Sequence, residues 1–154
     1  MKKILSLLVL LVAFTSCEED VKFNNPAVQG LKDNELWKAT TFSAVRSGNS
    51  LTVTATNEFE TVILKTESIV VDQEYILGEG VANMASYGLS VDGIDELYQT
   101  GTGLGNGLIK IRPETSLEKG YVSGNFYFNA VNEEGKIVNY QQGVFYKVPI
   151  TIDN

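Results

Sequence analysis

Residues 121–132, YVSGNFYFNAVN, and residues 136–150, KIVNYQQGVFYKVPI, decide the fold. In both runs apolar and polar side chains alternate over most of the length, the period of a strand with one face buried. Between them Glu133-Glu134-Gly135 is a short hairpin loop with a glycine available for positive φ. Each arm is about twice the usual 5 or 6 residues of a strand, so the arms must coil or kink. Pairing Asn132 with Lys136 makes paired residue numbers sum to 268, which sets Gly124 opposite Val144 and Gly143 opposite Asn125. Two glycines at one level of a ribbon are where a bulge or bend is cheapest, and they predict the corner at which the hairpin turns to cover a second layer. In the same register Phe128 faces Tyr140 and Ala130 faces Val138, an apolar side that meets the core. The opposite side gathers Asn125, Tyr127, Asn129, Asn139 and Gln141, one aromatic ring among amides. Amides that donate and accept beside a stacking ring suit sugar hydroxyls, so these five are the candidate ligand-binding residues.

Working back towards the N-terminus, Leu51, Val53 and Ala55 alternate with Thr52, Thr54 and Thr56. Ser47-Gly48-Asn49-Ser50 supplies a turn before this strand and Asn57-Glu58 one after it. Thr61 to Lys65, Ala82 to Val91, Glu96 to Thr100 and Gly107 to Arg112 are further strands. No window of the mature chain keeps a helical stripe. Short strands joined mostly by short turns, without helical crossovers, predict an all-β fold: an antiparallel β-sandwich built largely from meander hairpins, with a flattened up-and-down β-barrel as the alternative.

The first residues are of another kind. Lys2 and Lys3, the apolar run Ile4 to Phe14 and small residues before Cys17 follow the order of a secretory signal. Eleven helical residues reach only about 16 Å, half of a bilayer core of roughly 30 Å, so this is not a transmembrane span. Phe14-Thr15-Ser16-Cys17 resembles the lipobox of bacterial lipoproteins, with Phe14 where leucine is usual. Cys17 is the only cysteine, which rules out an internal disulfide and suits a lipid-bearing mature N-terminus. The organisation expected is a signal peptide over 1–16, a lipidated acidic tether over 17–31 and a single β domain over 32–154. Glu18, Glu19 and Asp20 resemble the acidic export signal that follows the cysteine in Bacteroidota lipoproteins. That resemblance implies an outer-membrane lipid anchor at the cell surface, with the periplasmic face as the alternative.

Val21-Lys22-Phe23-Asn24-Asn25-Pro26, then Gln29-Gly30, with Trp37-Lys38-Ala39 following and Gly143-Val144-Phe145-Tyr146-Lys147-Val148-Pro149 near the end, resemble an uncharacterised family of Bacteroidota lipoproteins, a domain of unknown function. The resemblance spans nearly the whole mature chain. It implies lineage, lipidation and a shared fold, and no activity.

Composition narrows the chemistry. Loss of Lys2 and Lys3 with the signal leaves 10 basic residues against 19 acidic ones, a formal charge of −9 that repels phosphate backbones. Nucleic acid is not an expected partner, and membrane association must come from the lipid. There is no histidine, which removes Ser-His-Asp triads, Cys-His pairs and histidine-based metal sites from this chain. With Cys17 acylated, thiol nucleophiles go too. Neither a metal nor a cofactor is expected. Carboxylate chemistry needs only two acids, and Glu58 with Glu60, or Asp92, Asp95 and Glu96 around Gly93, could supply them. Asp92 to Glu96 lacks the spacing of a calcium loop and reads as a turn. Gly101 to Gly107 does not fit a phosphate loop, since its glycines alternate and a strand follows, and it reads as a flexible connection. Trp37, the only tryptophan, reads as a core anchor. The function expected is a non-catalytic, membrane-anchored envelope domain that binds a ligand, possible classes being a glycan or an envelope protein partner. The alternatives are a carboxylate-based enzyme such as a glycoside hydrolase and a purely structural subunit.

Overall fold

The computed structural model describes residues 27–153. The expected signal peptide, Cys17 and the acids Glu18, Glu19 and Asp20 lie outside these residues. The described chain is all-β, with eleven strands: β1 (Val28–Lys32), β2 (Glu35–Lys38), β3 (Thr41–Ser47), β4 (Ser50–Thr56), β5 (Glu60–Thr66), β6 (Glu74–Leu77), β7 (Met84–Val91), β8 (Ile94–Gln99), β9 (Asn106–Ile111), β10 (Tyr121–Val131) and β11 (Ile137–Asp153).

Hydrogen bonding joins all eleven strands into one mixed sheet. Its pairings resolve into two antiparallel ladders, β2-β1-β11-β10-β9-β6 and β3-β4-β5-β7-β8. Consecutive strands make the hairpins β1–β2, β3–β4–β5, β7–β8 and β10–β11; of these the strand-like runs of the sequence predict β4, β5, β7, β8, β10 and β11. Among the described residues strand pairing joins the ladders at two places. The last residues of β11 pair in parallel with β3, from Ile150 opposite Ala44 to Asp153 opposite Ser47, and Val131 of β10 bridges to Gln99 of β8. Tight turns take residues that tolerate positive φ: Asp33 and Asn34 (48° and 69°) close β1–β2, and Asp92 and Gly93 (51° and 81°) close β7–β8.

Part of the span expected to be tether is strand. Val28 is fully buried and pairs opposite Phe145, so residues 28–31 belong to the domain and not to a linker. A five-residue strand carrying Gln29 and Gly30 has too little alternation to be read from sequence; its long-range pairing with β11 makes it a strand.

The β10–β11 register holds at 268 only next to the turn, from Val131 opposite Ile137 to Phe128 opposite Tyr140. Further along, Gly124 lies opposite Phe145, not Val144, and Gly143 opposite Phe126, not Asn125. Two β-bulges in β11 cause the change. Gln141 and Gln142 together oppose Tyr127, and Tyr146 and Lys147 together oppose Ser123; Gln142 and Lys147 take the positive φ, 50° and 48°. Each extra residue flips the face on which the following side chains point. Tyr140, Gly143, Phe145 and Val148 therefore all face inwards despite steps of three residues between Tyr140 and Gly143 and between Phe145 and Val148. The two glycines make room for rings: a Cβ on Gly143 would come within 2.5 Å of the Phe126 ring, and one on Gly124 would come 2.1 Å from Cζ of Phe145.

Phe145, Phe126, Phe128 and Tyr140 form a run of buried rings along the inner face, with centroids 6.4, 6.1 and 4.8 Å apart. Burial stabilises by roughly 2–3 kcal/mol per such side chain before entropy is counted. From the facing ladder Leu51, Val53 and Ala55 of β4 and Val62 and Leu64 of β5 close the core, the alternation read from sequence.

Candidate functional site

The outer face of the six-stranded ladder carries the five residues that the hairpin register singles out. Asn125, Tyr127 and Asn129 alternate outwards from β10, and Asn139 and Gln141 point out from β11. Because Asn129 sits directly opposite Asn139 in the unbulged part of the register, their amides meet. Gln141 Nε2 donates to Asn139 Oδ1 (2.8 Å), Asn139 Nδ2 to Asn129 Oδ1 (2.6 Å) and Asn129 Nδ2 to Asn106 Oδ1 on β9 (2.9 Å). The Asn139 backbone N–H donates to the Asp33 carboxylate in the β1–β2 turn. Chaining fixes the orientation of each amide while leaving it a further N–H and a carbonyl lone pair for a ligand. Tyr127 stands beside this chain with half its surface exposed.

Strand pairing extends the patch in both directions. Tyr127 lies opposite Leu108 of β9, which lies opposite Ile76 of β6. On the other side Gln141, at the bulge opposite Tyr127, pairs with Leu31 of β1 and Leu31 with Leu36 of β2. Asn106, Leu108, Ile76, Leu31 and Leu36 escaped the sequence reading. Their placement depends on pairings between strands distant in sequence, for which the chain carries no local signal.

A second polar cluster spans the two ladders. Glu60 on β5 accepts from Lys32 Nζ on β1, Tyr87 OH on β7 (2.6 Å), Trp37 Nε1 on β2 (2.8 Å) and Asn57 Nδ2 in the β4–β5 turn (2.7 Å). The Lys32 ammonium also sits 4.9 Å from the Tyr87 ring centroid. Burial alone would raise the Glu60 carboxyl, but the bonds from Lys32, Tyr87 and Asn57 outweigh it and hold the group below its ordinary value. Burial alone would lower Lys32, yet its bonds to Glu60 and Tyr87 hold it above. Burial and the Glu60 contact push Tyr87 up to about 12. A carboxylate with four donors that is kept ionised is a clasp between ladders and is poorly suited to be a general acid, which needs a raised pKa. Trp37 is buried here, edge-on to Tyr140, a core anchor as expected. Among the described residues the buried Tyr140 OH finds no hydrogen-bond partner.

The remaining sequence candidates fall elsewhere. Glu58 is exposed in the turn before β5 and does not join Glu60 in the clasp. Asp92 and Gly93 form the β7–β8 turn. Asp95 and Glu96 accept from the hydroxyls of Ser90 and Tyr98 (2.6 and 2.8 Å) and line, with Glu133 and Glu134, an open cleft of about 580 Å³ where β8 and β10 diverge. Lys136, 2.8 Å from Glu134, holds that carboxylate below its ordinary value. The glycine-rich run is a compact turn, Gly101 bridging to Leu104, and Gly105 packs so closely on the Asn129 carbonyl that a Cβ there would clash. Among the described residues no group of three or more acids, cysteines or histidines is placed to hold a metal, and no helix is long and apolar enough to cross a membrane.

A family described as Domain of unknown function (DUF6252) matches residues 24–149. No curated protein and no solved structure matches the chain.

Proposed function

We propose that this chain, which belongs to the DUF6252 family, is a non-catalytic binding domain of the bacterial envelope that takes a glycan on the outer face of the six-stranded ladder. The observation that carries this reading is the half-exposed ring of Tyr127 beside the oriented amides of Asn129, Asn139 and Gln141. A ring face stacks on the C–H side of a pyranose while fixed amides satisfy its hydroxyls, and fixed groups bind with less loss of entropy. Tyr127→Ala is expected to lower glycan affinity about tenfold, close to 1.4 kcal/mol, measured by glycan array and then calorimetry. Binding to no glycan, or binding indifferent to the substitution, overturns the reading.

Anchoring through a lipid on Cys17 belongs to the same proposal, and Glu18, Glu19 and Asp20 as a signal for surface display go with it. Cys17→Ala is expected to release the protein from washed membranes, because acyl chains at ~0.8 kcal/mol per buried methylene are the anchor available to an acidic domain. Retention of the variant in the membrane pellet refutes the anchor. The second reading, a carboxylate-based glycoside hydrolase, has its location in the acidic cleft between β8 and β10. Binding is favoured over it because two of the four acids there serve hydroxyls of their own chain and Glu134 is held ionised.

A further inference from the structure

Resting on the glycan reading, we infer that the ligand is an internal stretch of a linear, uncharged polysaccharide laid across the strands, from edge to edge of the six-stranded ladder. Ile76, Leu108, Tyr127, Gln141, Leu31 and Leu36 are successive cross-strand partners on β6, β9, β10, β11, β1 and β2. Directly opposed residues share a face, so the six make one transverse row. Six strands at about 4.8 Å spacing give a row of roughly 24 Å, several sugars long. Both ends are open: Leu36 on edge strand β2 is 60% exposed and Ile76 on edge strand β6 is 47% exposed. A row without end walls does not select a chain terminus. The ring-bearing row suits the apolar faces of successive pyranoses, and the Asn106–Asn129–Asn139 chain runs alongside it to meet their hydroxyls.

Charge selects against anionic polymers. The next outward row on the other side holds Lys110 paired with Glu74 (3.3 Å) and, at its far end, Lys38 opposite Gln29, so only Lys38 adds a positive charge beside the row. The chain as a whole carries a net charge of −7, which repels uronates and sulfated glycans.

The test uses the full-length protein extracted from membranes in detergent, run through affinity gels containing neutral glucans, mannans or xylans, with alginate and heparin beside them. The polysaccharide that retards it most is then followed by calorimetry with its oligosaccharides of increasing length. Affinity is expected to climb with each added sugar until the row is spanned and to level off there. Leu36→Ala and Ile76→Ala are expected to weaken binding of the longest oligosaccharides three- to tenfold and to leave the disaccharide unaffected, whereas Tyr127→Ala weakens every length. Both end residues are exposed, and circular dichroism checks that the variants fold. A disaccharide that binds as tightly as the polymer overturns the inference and leaves the glycan reading standing. So does preference for alginate or heparin. Retardation by no polysaccharide, with a blank array, overturns both, as does a self-associated protein whose dimer is broken by Tyr127→Ala.

Discussion

Glu60→Ala is expected to destabilise the domain by about 2–3 kcal/mol, below the roughly 3–5 kcal/mol for breaking a fully buried pair because water reaches part of the cluster. The substitution strands four donors at once: the Lys32 ammonium, the Trp37 indole N–H, the Tyr87 hydroxyl and the Asn57 amide. The Lys32 and Glu60 side chains are 25% and 15% exposed. For a domain of this size the melting temperature should fall by about 10 °C. Tyr87→Phe removes a single hydroxyl and should cost about 1 kcal/mol. Urea unfolding monitored through Trp37 measures both, and a Glu60→Ala change within about 0.5 kcal/mol of the parent would mean that the cluster does not clasp the ladders. The same groups set the pH dependence. A depressed carboxyl contributes stability above its unfolded value of 4.5, lost as pH falls through the lower folded value. Lys32 and Tyr87 are raised, so their contribution is complete below 10.5 and 10.0 respectively and fades as pH rises through the folded values, for Tyr87 up to about 12. Glu60→Gln should therefore lose less stability than the parent on acidification, compared by urea titrations across the acid range.

Gly124→Ala should cost at least about 3 kcal/mol, the upper end for overpacking a core. The new methyl would lie 2.1 Å from Cζ of Phe145 and 2.5 Å from the Lys110 carbonyl oxygen. The obstacle on one side is backbone of the neighbouring strand, which cannot swing away. On the other it is the fully buried Phe145 ring, stacked on Phe126. Gly88→Ala is the matched control: that strand glycine has ordinary φ and its nearest neighbour would be the Glu96 carbonyl at 3.9 Å. It should be neutral or slightly stabilising, since strand interiors disfavour glycine. Equal midpoints in denaturant for the two variants would show that the ring above Gly124 is not fixed.

How much of this was legible in the chain depended on how local the cause was. Leu51, Val53 and Ala55 announce β4 because alternation is a property of one strand. The β10–β11 hairpin was read correctly near its turn, where Asn129 and Asn139 do meet, and the candidate residues fall on one face for that reason. The slip beyond Phe128 had a signal in the apolar positions of β11, even at Val138 and Tyr140, odd at Gly143 and Phe145, even again at Val148 and Ile150. Each change of parity marks a bulge. β1, β2 and β6 carried no such signal: they are four or five residues long, with Glu35, Lys38 and Glu74 among them, and become strands through distant partners. The clasp was beyond reach, because Lys32, Trp37, Asn57, Glu60 and Tyr87 converge only after both ladders stack.

The placement of β11 has a kinetic corollary. The last of the described strands, it pairs with β1, with β3 and with β10. Neither ladder can be joined to the other along β3, and β1 has no place in a sheet beyond its own hairpin, until β11 is present. Loop closure over nearly the whole chain length precedes the reward of the contacts, the situation in which folding is slow and in which synthesis outruns it. The two ladders thus stay apart along β3 until β11 is in place. The delay is written into the order of the strands.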